Sequence, residues 1–322
     1  IPSNVLPEDS NAISYGSLAG RIDTNTWFIV GACLYYRHTK DENTWKTLRP
    51  AVERCRTYLK TIEYNAKGCL YTPLSGNWAD EYPVHGYTLY DNMLRIWGES
   101  LWNSIKGKSD ESLQHIKTKT RLNFWPKATV SEHDMYHKTA FGDALKAASP
   151  YFLAFILPGM YDTRFDAAGN ALALLQFQLT TDQKTALSGF LAGLKQDLSR
   201  TAIPAFWPVV REDDADWKLL KHNYAFSFKN KPHYFHNGGI WPVWTGLFCL
   251  GLAKNGLSET VKTIVDDVTA MVSEDPKWDF HEYFTSDTLQ AGGKTAMGFT
   301  ASGVVFMHHA LQNINFKSIL GI

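Results

Sequence analysis

The chain has 322 residues, 44% hydrophobic, with 32 basic and 32 acidic side chains and a formal net charge of zero. This length can bury a sizeable core, as one large domain or two ordinary ones. The balanced charge, with no basic run, argues against nucleic acid and anionic membrane surfaces as partners.

Residues 1–22 read as loop, rich in Pro, Ser, Asn and Gly. From Asn25 the pattern turns helical, with Trp27, Val30, Cys33 and Leu34 at spacings of three and four. A second helix is predicted over 44–64, with Trp45, Leu48, Val52, Cys55 and Leu59 on one face. A loop over 68–84 leads to a third helix over 87–105, and a polar mixed segment then runs to His137. Further helices are predicted over 145–157, 167–179 and 181–198, the last capped by Thr181. A loop-rich stretch over 201–232 precedes an apolar helix over 239–254 and an amphipathic one over 258–273. A loop of acids and aromatics leads to a last helix over 296–311. Strand signals are few. The expected class is all-α, with helical hairpins joined by alternating short and long loops. Loops that gather at one end suggest an (α/α)6 barrel, a toroid of helical hairpins.

The four cysteines form no CxxC pair, so neither a zinc ribbon nor a redox dithiol is indicated. Buried free thiols fit a reducing compartment and hence a cytoplasmic location. No apolar run approaches a membrane span, and no signal peptide is visible. His133 and His137 have helical metal-ligand spacing but lack a third ligand, so no metal is expected. AGGKT, residues 291–295, lacks the spacing of a phosphate loop.

The unusual residues lie on the long loops. The 11 Trp and 15 Tyr include clusters beside polar residues, which suit sugar faces. SGNWADEYPVHG, residues 75–86, sets Asp80 and Glu81 among Trp78, Tyr82 and His85. Carboxylates are costly to bury unless they are paired. The loop acids Asp23, Asp80, Glu81, Asp162, Asp166, Asp279 and Glu282 are candidates for an acid and base pair, and aromatic company favours Asp80 and Glu282. A solvated or helix-capping acid is the plainer reading of each one alone. HYFHNGGIWP, residues 233–242, offers His236 and Asn237 for hydroxyls and Trp241 for stacking. Its Gly238 and Gly239 allow positive φ or close approach before a helix N-terminus. An ordinary loop entering a helix has the same composition.

Taken in order, these loops resemble one group. RIDTNTWF is similar to V-D-S-G-x-W-W of the neutral and alkaline invertases, glycoside hydrolase family 100. NWADEYPVHGY resembles the segment M-I-D-R-R-M-G-x-H-G, which carries the general acid, and YDTRFDAAGN resembles M-D-F-R-F-F-T-L-G-N. YFHNGGIWPV is similar to Y-H-N-G-G-S-W-P-V, and WDFHEYF to W-P-E-Y-Y-D. SGNWAD also resembles the S-G-W-D of the related processing α-glucosidases, family 63.

The resemblance implies an inverting glycosidase with Asp80 as general acid and Glu282 as general base. It assigns Asp23, Trp27, Trp78, His85, Arg164, His236, Asn237 and Trp241 to the substrate. It implies a small oligosaccharide or glucoside substrate, such as sucrose, and no cofactor. Glu81 and Tyr82 stand where the family has paired arginines, and Asn25 replaces a glycine, so sucrose itself does not follow. The stretch before Gly20 is shorter than the family's, so 1–322 is expected to be one catalytic domain missing N-terminal helices. Two readings from other classes stay open. One is a sugar epimerase or isomerase built on His236 and His281. The other is an inactive, carbohydrate-binding fragment.

Overall fold

The computed structural model describes residues 1–2, 4–6, 9–63, 68–107, 110–274, 279–312 and 316–322. In chain order the elements are β1 (Asn4–Leu6), β2 (Asp9–Ser14), α1 (Asp23–Thr39), α2 (Glu42–Thr61), β3 (Tyr87–Thr88), α3 (Leu89–Lys106) and α4 (Glu111–Phe124). Next come α5 (Lys138–Ala147), β4 (Leu153–Leu157), β5 (Met160–Asp166), α6 (Ala167–Gln176), α7 (Thr181–Leu198), β6 (Phe206–Trp207) and α8 (Trp217–His222). The chain continues through α9 (Pro242–Lys254), α10 (Ser258–Glu274), β7 (Tyr283–Phe284), β8 (Ala291–Gly292), α11 (Gly298–Leu311) and α12 (Phe316–Leu320). The predicted helix end at Tyr64 and the Trp278 of WDFHEYF lie outside the described residues.

An inner series of helices packs in sequence: α1 on α3, α3 on α6, α6 on α9 and α9 on α11. Outer helices cover them, with α2 on α1, α4 on α3, and α10 on α9 and α11. This alternation is the α/α-barrel arrangement. The sequence shows its cause. The inner α9 is apolar all round, and Phe248, Leu250 and Leu252 are fully buried. Each such side chain contributes about 1.5–3 kcal/mol by leaving water. The outer α10 buries only one stripe, Val261, Ile264, Val265, Val268 and Met271. α9 and α11 approach so closely that a Cβ on Gly246 would meet the Gly303 carbonyl oxygen. At the far end Trp97 of α3 donates Nε1–H to the Leu320 carbonyl at 2.9 Å, tying α12 beneath α3.

Several expectations need correction. Where a loop was expected, β1 and β2 pair as antiparallel strands. The polar 110–137 stretch contains α4, whose apolar stripe is sparse, with Leu113, Ile116 and Phe124 buried. Its start is set by Asp110, which accepts the Ser112 N–H at 2.9 Å. The helix predicted over 145–157 is instead the end of α5 followed by strand β4. A short apolar run such as LAFIL does not declare its period, and Pro150 in front of it bars a continuing helix. YDTRFD, predicted as loop, is β5. The four-stranded antiparallel sheet runs β3-β4-β5-β6. The cap of α7 is Thr180 rather than Thr181, in a capping box with Gln183. His133 and His137 do not share a helix, since His137 caps α5 by accepting the Ala140 N–H.

The sheet feeds two inner helices. β3 runs directly into α3 and β5 into α6, so both helices begin at one end.

Candidate active site

Four of the five motif segments lead into the N-terminal ends of inner helices α1, α3, α6 and α9, and the fifth runs into strand β7, ahead of α11. The contacts show those ends meeting. Tyr90 in the first turn of α3 donates Oη–H to Asp23 of α1 at 3.3 Å. The Tyr90 ring stands edge-on to Trp244 of α9 at 5.6 Å. Trp241, at the start of α9, stacks on Phe299 of α11 at 6.2 Å. Helix N-termini carry partial positive charge and favour carboxylates by about 0.3–1 kcal/mol each. Three of these ends hold a buried aspartate: Asp23, Asp91 and Asp166.

Burial raises all three. Asp91 is driven up to about 7 although Thr88, Thr72 and Asn77 all donate to its Oδ2. Asp166 is likewise driven up to about 7, and the amides of Ala168 and Gly169 offset only part of the burial. Burial also lifts Asp23 above the ordinary carboxylate value, while Arg21 and Tyr90 pull it down.

Asp80 lies in the loop before β3. Its Oδ2 accepts from Arg21 Nη1 and from Ser17 Oγ, both at 3.1 Å. It keeps 21% of its side-chain surface exposed, so it sits in a partly exposed ion pair rather than a closed aromatic box. Its neighbour Glu81 points elsewhere. Glu81 is buried, and its Oε1 pairs with Lys229 Nζ at 3.2 Å, while Oε2 has no hydrogen-bond partner.

An aromatic wall joins the two catalytic candidates. Trp78 contacts Trp241 edge-on at 5.5 Å, and Trp241 stacks on Tyr283 at 5.8 Å and 21°. Asp80 follows Trp78 by two residues, and Glu282 immediately precedes Tyr283. Glu282 is half-buried on the β7–β8 hairpin, where its Oε2 accepts the Lys294 N–H at 3.2 Å. Backbone bonds between Ile240 and Phe284, at 2.7 and 2.9 Å, hold that hairpin against the entry to α9.

His236 lies against this wall, with its ring 5.1 Å from Trp78 and 5.4 Å from Trp241. Burial, with Lys229 and Arg21 nearby, pushes it well below the usual histidine value, so the imidazole is neutral at pH 7. Its Nδ1 and the Trp78 Nε1 are buried without hydrogen-bond partners. Both atoms remain able to bond a ligand hydroxyl.

The other predicted residues divide. Trp27 is drawn in through Nε1–H, which donates to Tyr90 Oη at 2.8 Å. His85 and Arg164 form a neighbouring cluster. Arg164 donates to Asp162 and Asp216 and to Tyr82 Oη, so its fork is spent on protein groups. His85 is lowered by burial, against the pull of Asp216. Tyr82 stacks on Phe206 at 4.2 Å, and Phe206 on Trp78 at 6.0 Å, which connects this cluster to the wall. Asn237 commits its amide to the loop: Oδ1 accepts the Val210 N–H at 2.7 Å, and Nδ2 donates to the Val210 and Asn230 carbonyls. Gly238 has φ of +98°, as expected, but its N–H is taken by the His236 carbonyl. Sequence reading missed Arg21, Lys229 and Asp216. Arg21 was legible only as a lone cation two residues before Asp23.

Among the described residues, no group of three or more His, Cys, Asp or Glu could hold a metal ion. No described helix is long and apolar enough to cross a membrane. All four cysteines are buried and unpaired.

Known proteins share this fold. The chain superposes on the family 63 mannosylglycerate hydrolase of Thermus thermophilus, solved with glucose, at a TM-score of 0.60 and 10% identity, covering 94% of this chain and 79% of that one. It superposes on the family 78 rhamnosidase of Bacillus sp. GL1 at 0.53 and 13% identity, covering 90% and 26%. Both likenesses support the α/α-barrel fold. Cytosolic invertase 1 of Oryza sativa subsp. japonica is 23% identical over 181 residues, 56% of this chain and 31% of the rice protein. Alkaline/neutral invertase C, mitochondrial, of Arabidopsis thaliana is 26% identical over 145 residues, 45% of this chain and 21% of that protein. The matched stretch therefore spans about a third or less of either relative. The family profile described as alkaline and neutral invertase matches residues 112–313, which takes in the Arg164, His236 and Glu282 loops but not those of Asp23 and Asp80. With well over half of its length matched, the chain belongs to the alkaline and neutral invertase family, glycoside hydrolase family 100.

Proposed function

We propose that this chain is the catalytic domain of an inverting glycosidase acting on a small α-glucoside such as sucrose. The observation that supports the reading is the chain of ring contacts Trp78–Trp241–Tyr283, whose first and last members are near neighbours in sequence of Asp80 and Glu282. Asp80 donates its proton to the glycosidic oxygen as the bond to the anomeric carbon breaks. Glu282 takes a proton from the water that attacks that carbon from the opposite face. An inverting pair needs roughly 6.5–9.5 Å between carboxyl groups to admit the water. The chemistry requires no cofactor.

The sugar lies against the wall, where ring faces meet its C–H patches. The neutral His236 acts as a hydrogen-bonding group and not as a charge. The Thermus neighbour is a mannosylglycerate hydrolase, so a glycosylated glycerate is a second substrate class to assay. The buried free thiols fit a reducing compartment such as the cytosol.

The test is glucose release from sucrose, trehalose, maltose, isomaltose and glucosylglycerate, with Asp80→Asn as control. Release from one of them, abolished in the variant, is the expected result. No release from any would overturn the reading.

A further inference from the structure

Arg21 sits between two carboxylates from separate parts of the chain. Its Nε faces Asp23 Oδ1 at 3.3 Å and its Nη2 faces Asp23 Oδ2 at 3.4 Å, while Nη1 reaches Asp80 Oδ2 at 3.1 Å. The Asp23 end is anchored. Asp23 is 3% exposed, accepts from Tyr90 Oη, and Tyr90 Oη in turn receives the Trp27 N–H. The guanidinium therefore cannot swing away without leaving a buried carboxylate short of its cation, which is strongly unfavourable. Arg21 is also fixed through its backbone, since its N–H donates to the Tyr15 carbonyl at 2.8 Å. A planar fork held this way presents one defined N–H to Asp80.

We propose that Arg21 is the positioning residue for proton donation. It grips Asp80 by Oδ2, so that the other oxygen carries the proton toward the glycosidic oxygen. It also stabilises the carboxylate left once the proton has gone. The inference rests on reading Asp80 as the general acid. In the step concerned, the C–O bond breaks with its electron pair on the leaving oxygen, and the Asp80 proton moves to that oxygen. Water supplies its oxygen to the anomeric carbon and one proton to Glu282. Negative charge thus appears on Asp80 beside a cation already in place, so no reorganisation accompanies the reaction. Ser17 Oγ, on the same oxygen at 3.1 Å, adds a second donor.

Leaving groups that need no proton give the discriminating experiment. Wild type, Arg21→Gln, Arg21→Lys and Asp80→Asn are assayed on α-glucosyl fluoride and on the preferred glycoside, with melting temperatures recorded. General acid catalysis contributes on the order of 100-fold or more, so Arg21→Gln is expected to lose about that factor on the glycoside and little on the fluoride. Arg21→Lys, which keeps the charge and loses the fork, is expected to show the same split at a smaller ratio. It carries the comparison if the glutamine variant does not fold. Equal losses on both substrates in a folded variant, or no loss on either, would overturn the proposal while Asp80→Asn still splits. If Asp80→Asn does not split, the acid assignment itself fails. A wild-type chain inactive on both substrates overturns both readings.

Discussion

The Trp78 indole stands edge-on to that of Trp241, with ring centroids 5.5 Å apart and planes at 82°. Trp78 comes from the loop before β3, and Trp241 from the cap of α9. This contact ties the acid-bearing loop to the loop that braces Glu282. Trp241→Ala removes a side chain only 5% exposed, together with its bond to the Phe235 carbonyl at 3.0 Å. A stability loss of about 3–5 kcal/mol is expected, with glycoside hydrolysis lost. Chemical denaturation and an activity assay check both. Full activity in the variant would remove the wall from the account.

Glu81 and Lys229 test whether the acid beside Asp80 is structural. The Glu81 carboxylate is buried and Lys229 is its cation at 3.2 Å, half-exposed. Lys229→Met leaves that charge unpaired and should cost about 3 kcal/mol. Glu81→Gln should cost less, and the double variant less than the sum of the two. Denaturation of the four proteins gives the cycle. Additive costs would show that the two groups do not act as a pair.

The interior aspartates predict a stability slope with pH. Asp91 and Asp166 rise from 3.8 in the open chain to about 7 in the fold. Both states are protonated below the unfolded value, so stability is fully present there. As pH climbs from about 4 to 7 the unfolded chain ionises first, and stability is lost through that window. For each site the effect is of the order of a few kcal/mol. Asp166→Asn removes one of these groups, so its melting temperature should fall less than that of wild type between pH 4.5 and 7.5. Parallel curves would contradict the assignment.

Two glycines should respond in opposite directions. A Cβ at Gly303 would come 2.2 Å from the Pro242 carbonyl oxygen, where α11 crosses α9. Gly303→Ala is expected to destabilise by at least about 1–3 kcal/mol through overpacking. Gly189, in α7, has nothing within 4 Å of that position, so Gly189→Ala should gain about 0.5–1 kcal/mol. Thermal melts of the two variants decide it, and matching shifts would be the wrong outcome.

The helical alternation was legible because long helices declare their period: α7 was predicted residue for residue, and the buried stripe of α10 is the one its sequence shows. β4 was not legible, because LAFIL is buried on both faces and carries no alternation. Nor was the pairing of β1 with β2, whose residues have the composition of a loop. In the site, the aromatic loops stood out by composition and resemblance. The partners of the charged groups did not. Arg21 and Asp80 are 59 residues apart, and Lys229 and Glu81 are 148 apart, so only the fold joins them. Asn237 and Arg164 show the reverse limit. Their residue types suit a sugar, but the structure engages Asn237 with the backbone and Arg164 with other side chains.

The stereochemistry of the first product tests the central claim most directly. Proton NMR of the glucose released from an α-glucoside, recorded before mutarotation, separates the two anomers. Acid and base action by Asp80 and Glu282 across the sugar ring predicts β-glucose first. Initial release of α-glucose would contradict it.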